Sequence, residues 1–184
     1  MAKSHAAVWA TDAPSPAQLK EFFAQIENGR VTKDRLQAFL TREHAIDCDA
    51  LPYIPHGWEV RQEDQLLNTV KGQLEWDPTK IALYLSDSQK YGKLIKGTDL
   101  RKELEHMAVL NANVLDFLLA HPDLILEEWK GKYIFFWGTI YRDSDGGLIV
   151  RYLDWCGCRW DWGCGWLGGV WREAGPAVVL ASST

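Results

Sequence analysis

Apolar residues in the first part of the chain recur every three to four positions, whereas in the last part they alternate or run together. Leu19, Phe22, Phe23 and Ile26 have helical spacing, which gives a helix one apolar face. Ser15-Pro16-Ala17-Gln18 starts that helix, with Ser15 as N-cap, Pro16 at the first helical position and Gln18 completing a capping box. Gly29 is a natural stop, because glycine tolerates the left-handed conformation a C-cap requires. Thr32 caps a second helix, whose apolar stripe is Leu36, Phe39 and Leu40. Only Gly29, Arg30 and Val31 separate the two, so residues 15–44 are predicted to form a helical hairpin behind a flexible leader, 1–14.

The middle of the chain is less regular. Residues 45–60 contain Pro52, Pro55 and Gly57 and read as a connecting loop. Leu66, Leu67 and Val70 fit a helix, while Ile81, Leu83 and Leu85 alternate as in a short strand. Thr98 is placed to cap a helix running to about Met107, with Leu100 and Leu104 turned inward. Asn111 or Asn113 caps the next one, Val114 to Ala120, whose nearly continuous apolar run predicts burial. Pro122 ends it, and Leu124 to Trp129 adds one more turn. Residues 45–131 therefore form a mixed middle, either separate from residues 132–184 or one domain with them.

From Lys132 to Tyr141 aromatic and β-branched residues dominate, as in a strand. Asp145-Gly146 then marks a hairpin. Leu148 to Trp155 is the second strand, Cys156-Gly157-Cys158 a short turn, Arg159 to Cys164 the third, and Ala177 to Ala181 a last one. A two- or four-residue first turn sets Asp143 opposite Leu148, Tyr141 opposite Val150, Thr139 opposite Tyr152 and Trp137 opposite Asp154. A three-residue second turn sets Asp154 opposite Trp160 and Tyr152 opposite Trp162. Opposed residues share a face. One face then carries Ile134, Phe136, Ile140, Ile149, Leu153 and Trp155 and suits packing on helices. The other carries Tyr133, Phe135, Trp137, Tyr141, Tyr152, Trp160 and Trp162, with Thr139 and Asp154 among them. A one-residue change in either turn would invert the strand concerned.

Composition sharpens interest in that second face. Five of the chain's ten tryptophans lie between Trp155 and Trp171. Tryptophan and tyrosine combine apolar area with a donor and are enriched where surfaces bind. Trp137, Thr139, Tyr152, Asp154, Trp160 and Trp162 are accordingly the candidate ligand- or partner-binding residues, with protein or carbohydrate as the ligand. The competing reading is a second core layer, covered by the segments around Trp166 and Val178, which is the commoner use of tryptophan in small β-units.

A formal net charge of −5 and a pI near 5.5 disfavour nucleic acid and anionic membranes as partners. The hairpin offers an alternative, a nucleic-acid-associated regulator. Its Lys20, Arg30, Lys33, Arg35 and Arg42 are, however, nearly balanced by Glu21, Glu27, Asp34 and Glu43, which is poor for phosphate contacts. The N-terminal segment has no apolar stretch of signal-peptide length, and no run reaches membrane-span length. A cytoplasmic location follows as the expectation, with the four cysteines as thiols.

Little else in the sequence suggests chemistry. Cys156, Cys158 and Cys164 fall short of a zinc set, since a fourth ligand would have to come from distant Cys48 or a histidine. His5, His44, His56, His106 and His121 are scattered outside any catalytic motif. Asp154 and Asp161 fall on opposite faces in this register, which disfavours a glycosidase pair, and Asp161 is placed for an ion pair with Arg151. The glycines at 163, 165, 168 and 169 match no phosphate loop and mark bulges or bends. No catalytic residue, metal ligand or cofactor is assigned, and an enzyme is the less favoured class.

The runs Ser15-Pro16-Ala17-Gln18-Leu19-Lys20-Glu21-Phe22, Gly29-Arg30-Val31-Thr32 and Val109-Leu110-Asn111-Ala112-Asn113-Val114-Leu115-Asp116 resemble a group of bacterial proteins encoded mainly by uncultured, small-genome bacteria. Lys130 to Tyr141 and Trp160-Asp161-Trp162-Gly163-Cys164 are similar to it as well. The resemblance implies a bacterial origin and, since no activity is assigned to that group, no site residue. The expected architecture is α+β: an N-terminal helical hairpin, a mixed middle, and a C-terminal tryptophan-rich antiparallel sheet packed on helices. The expected function is non-enzymatic binding or protein interaction on the aromatic face.

Overall fold

The computed structural model describes residues 15–33, 36 and 45–181, which belong to two compact units divided after His44. In the first unit, helix α1 (Pro16–Glu27) starts as its sequence dictates. The Ser15 hydroxyl accepts from the Gln18 N–H, and the Gln18 side chain accepts from the Ser15 N–H. Asn28 is the C-cap and Gly29 follows with a positive φ of 74°. Of the predicted second helix, the Leu36 N–H donating to the Thr32 carbonyl is described. Phe39, Leu40 and the leader 1–14 lie outside the described residues.

The second unit is α+β. Its elements are β1 (Ala45–Asp47), β2 (Gln73–Glu75), β3 (Ile81–Tyr84), β4 (Ile95–Lys96), α2 (Gly97–Leu104), α3 (Ala112–Ala120), β5 (Ile134–Arg142), β6 (Leu148–Trp155), β7 (Trp160–Trp166), β8 (Val170–Trp171) and β9 (Ala177–Leu180). The main sheet has the order β3-β9-β5-β6-β7, and two-stranded β1-β2 and β4-β8 pairs flank it. The sheet is mixed rather than antiparallel throughout, because β9 lies parallel to β5. Among the described residues no helix is long and apolar enough to cross a membrane.

Helices cover both faces of the sheet. Leu115 and Leu118 of α3 pack against Ile134, Phe136 and Leu153. On the other side Leu100 and Leu104 of α2, with Trp171 of β8, cover Phe135, Trp137 and Val150. Gly97 opens α2 where β8 and the loop before it come close. A Cβ there would lie 2.5 Å from the Leu167 carbonyl oxygen, so only glycine fits without movement. Lys96, not Thr98, is the N-cap of α2. Asn111 is the N-cap of α3, but its side chain donates to the Cys48 carbonyl at 2.7 Å instead of capping the helix. Between Val60 and Val70 the only regular element among the described residues is a 3-10 turn, Gln62–Asp64.

Turn lengths decide which rings share a face, and here the sequence-based register needs correction. The β5–β6 turn has five residues, Asp143 to Gly147. The Asp143 carboxylate accepts from the Asp145 and Gly147 N–H groups, and Gly146 takes a positive φ of 82°. Arg142 therefore stands opposite Leu148, and Tyr141 opposite Ile149 rather than Val150. Between Phe135 and Ile140 the strand bulges. There Gly138 lies against Leu110, to whose carbonyl its N–H donates at 2.9 Å, and the Thr139 hydroxyl accepts from the Ala112 N–H at 3.0 Å. A bulge aims successive residues to one side, so Phe135 rather than Thr139 faces Tyr152.

The β6–β7 turn has four residues, because the Cys156 N–H closes onto the Arg159 carbonyl with Gly157 at φ 86°. Trp155 then pairs with Trp160, Asp154 with Asp161 and Leu153 with Trp162. The expected Asp154–Trp160 and Tyr152–Trp162 pairs do not form. Trp160 and Trp162 turn to the α3 face, Tyr141 packs against Trp58, and Ile140 joins the opposite face.

Candidate functional site

The face opposite α3 keeps part of the expected aromatic set and adds residues from β8. Pairing of Tyr152 with Gly163 and of Val150 with Gly165 puts both glycines on this face. Without side chains they leave room for rings to lie on the strand itself. A Cβ on Gly163 would meet the Tyr152 ring at 2.4 Å, and one on Gly165 the Phe135 ring at 2.8 Å. Neighbouring rings then form a continuous row, with centroid separations of 5.1 Å (Tyr133–Tyr152), 4.9 Å (Tyr152–Phe135), 4.2 Å (Phe135–Trp171) and 4.7 Å (Trp171–Trp137). Three of the four fall within the favourable range for tilted and edge-on pairs, and Phe135–Trp171 is closer still.

One end of the row is core and the other is surface. Trp137 is 0% exposed, whereas Tyr133 is 46% exposed and Val170, beside Trp171, is 55% exposed. At the open end lies a groove of about 290 Å³, walled by Tyr133, Phe135, Trp166, Val170 and Trp171 over Gly165. Arg172 is the one charged residue lining it.

The six residues expected from sequence are thus dispersed. Trp137 and Thr139 are buried, Tyr152 and Asp154 lie on the groove's face, and Trp160 and Trp162 on the opposite one. Tyr133, Gly165, Val170 and Trp171 were not singled out. The signal that points to them is the alternation of Gly163 and Gly165 within a strand, which marks close approach of other groups.

On the α3 face Trp162 joins a second aromatic assembly. The Arg151 guanidinium lies 4.4 Å from the Trp162 ring centroid and 5.3 Å from that of Tyr53. It pairs with Asp116 at 2.8 Å, not with Asp161. Trp58 packs edge-on against Trp162, and the Tyr141 hydroxyl donates to the Tyr53 carbonyl. Burial pushes the Tyr141 hydroxyl up to about 12, even with Arg151 beside it. This assembly pins the 51–58 loop to the sheet and leaves its cation fully enclosed.

Asp154 and Asp161 are opposed across β6 and β7 and therefore share a face, contrary to the sequence reading. Burial first, then the Asp161 charge, holds the Asp154 carboxyl above its ordinary value. Asp161 is held below its own, first by the Trp162 N–H and then by Arg159, 2.8 Å away in an exposed ion pair. A carboxylate raised in the folded state makes folding less favourable as pH climbs through that raised value. Asp154→Asn is therefore expected to be more stable than the native chain at neutral pH, by up to about 1 kcal/mol for opposed like charges. The gap should close as pH falls below the ordinary carboxylate value, which urea unfolding at a series of pH values measures.

Three of the thiols, Cys48, Cys156 and Cys164, are held above their ordinary value. Burial leads in raising Cys48 to about 11, with Asp49 and Asp47 adding to it, and Cys164 is also raised. A raised thiol pKa disfavours the reactive thiolate. Among the described residues no three His, Cys, Asp or Glu side chains cluster as a metal site would require. Compared with protein-family models, with curated proteins and with solved structures, the chain matches none.

Proposed function

We propose that the chain is a non-enzymatic binding module that takes an apolar side chain of a protein partner into the groove between Tyr133 and Val170. The observation that carries this reading is a groove with ring walls and a glycine floor. A solvent-facing apolar surface is costly to maintain for folding alone. Aromatic anchors in a pocket are also the commonest source of interface energy. Protein is favoured over carbohydrate by the lining. A stacked sugar needs several polar groups to hold its hydroxyls, and Asp154 lies outside the groove, leaving Arg172.

Selection from a random peptide library is expected to enrich sequences centred on one large apolar residue. Their binding should disappear in Val170→Asp, a substitution at an exposed position, with urea unfolding checking that the variant stays folded. Peptides that bind both proteins equally, or no enrichment at all, would overturn the reading.

A further inference from the structure

The main sheet ends in β3 on one side and β7 on the other. A free edge presents a row of unpaired main-chain groups, which natural sheets usually block. At β7 two outward groups are taken by the strand's own neighbourhood. The Trp162 N–H donates to the Asp161 carboxylate at 2.9 Å, and the Trp166 carbonyl accepts from the Gly169 N–H. At β3 the Ala181 N–H donates to the Lys80 carbonyl at 2.8 Å, which fixes the phase of the β3–β9 ladder. Ladder bonds alternate along an antiparallel pair, so Ala82 and Tyr84 bond to β9, while Ile81 and Leu83 turn their main-chain groups outward. The Ile81 N–H donates back to the Pro78 carbonyl. The Leu83 N–H and the Ile81 and Leu83 carbonyls have no partner among the described residues.

Two cavities lie along this edge on the α2 side of the sheet, the side to which Ala82 and Tyr84 turn. One, of about 560 Å³, is walled mainly by apolar groups, among them Ala82, Met107 and Val179. The other, of about 540 Å³, is lined by Tyr84, Ser86, Asp87, Ser88, Lys90 and Glu103. Asp87 is paired with Lys90 at 2.7 Å. Glu103 accepts from the Tyr84 hydroxyl through Oε2 at 2.7 Å and has no cation partner among the described residues. Burial first, then Glu103, pushes the Tyr84 phenol up to about 12, so it stays a donor at neutral pH. The second cavity thus carries one carboxylate in excess.

We propose that β3 takes an extended segment of a partner protein as a sixth, antiparallel strand, with a basic residue followed two positions later by an apolar one. The residue between them lies opposite Leu83 and exchanges two main-chain hydrogen bonds with it. Opposed residues share a face, so the residues opposite Tyr84 and Ala82 both turn toward α2, about 7 Å apart along the strand. The first meets Glu103, where a basic side chain supplies the missing cation. The second meets the apolar wall beside Met107. Main-chain bonds give such strand addition its affinity, and the alternate side chains give it choice.

The test is an amide-resolved NMR titration of the full chain with the peptide acetyl-Thr-Lys-Val-Leu-Thr-amide. Saturable shifts are expected at Ala82, Leu83 and Tyr84 at millimolar concentration. A peptide N-methylated at its valine lacks the donor that faces the Leu83 carbonyl, and its binding should be lost. A peptide with glutamate in place of lysine should bind more weakly. Glu103→Gln keeps an acceptor for the Tyr84 hydroxyl and should weaken the lysine peptide about threefold, as loss of a partly exposed ion pair does. Unsaturable shifts, equal binding of the N-methylated peptide, or lysine and glutamate peptides that bind alike would each overturn the proposal. So would shifts at Gly165 and Val170 in place of Leu83, which would put the peptide in the aromatic groove. Leu83 shifts produced by raising the protein concentration alone would give the edge to a second copy of the chain, and would overturn it too.

Discussion

Arg151→Ala is expected to destabilise the 45–181 unit by about 3–5 kcal/mol, the usual cost of removing one partner of a buried ion pair. The side chain is 1% exposed and ion-paired to Asp116. Its removal strands that carboxylate and empties the space between Trp162 and Tyr53. The Asp116 side chain keeps access to water at its outer edge, which places the loss toward the lower end. A domain of this size has about 5–15 kcal/mol to lose, so the variant should unfold at a much lower urea concentration. Arg151→Met restores volume without charge and should recover part of the loss, since packed hydrophobic replacements of buried pairs are often tolerated. Recovery identical to that of alanine would mean that packing against the rings contributes nothing.

Trp137→Ala should be of similar size, about 3–5 kcal/mol for a fully buried large aromatic. Its ring packs on Trp171 and belongs to the core formed with Leu100 and Leu104. Its Nε1 has no hydrogen-bond partner among the described residues. Trp137→Phe removes that orphan donor while leaving a smaller void. The two terms oppose each other, so phenylalanine should cost far less than alanine. Chemical denaturation of both variants checks the pair. Equal losses would show that the indole N–H is satisfied in solution.

The sequence made local structure legible wherever neighbouring residues decide it. The Ser15–Gln18 capping box forms as read, and the Ile81 and Leu83 alternation falls in β3. The Val114–Ala120 helix and the two hairpin strands are likewise where their patterns place them. The faces of the sheet were not legible, because they depend on two turn lengths and on a bulge at Gly138 whose cause, the Leu110 backbone, is distant in sequence. One residue more in the second turn was enough to carry Trp160 and Trp162 to the other side. The insertion of β9 between β3 and β5 depends on pairings nearly a hundred residues apart with β3 and 42 apart with β5, and leaves no local mark. Of the expected site, Tyr152 and Asp154 lie on the groove's face of the sheet, and neither lines the groove. Trp171 and Val170 enter it through β8, which the pattern left as glycine-rich sequence.

The groove is proposed as a working surface rather than an imperfection in the core. The most direct measurement is an amide-resolved NMR titration with N-acetyl-tryptophanamide, a stand-in for a partner's apolar side chain. Saturable shifts are predicted at Gly165, Val170, Gly175 and the Trp171 indole N–H, and they should vanish in Val170→Asp. Shifts spread over the surface without saturation, or confined to residues remote from Trp171, would contradict it.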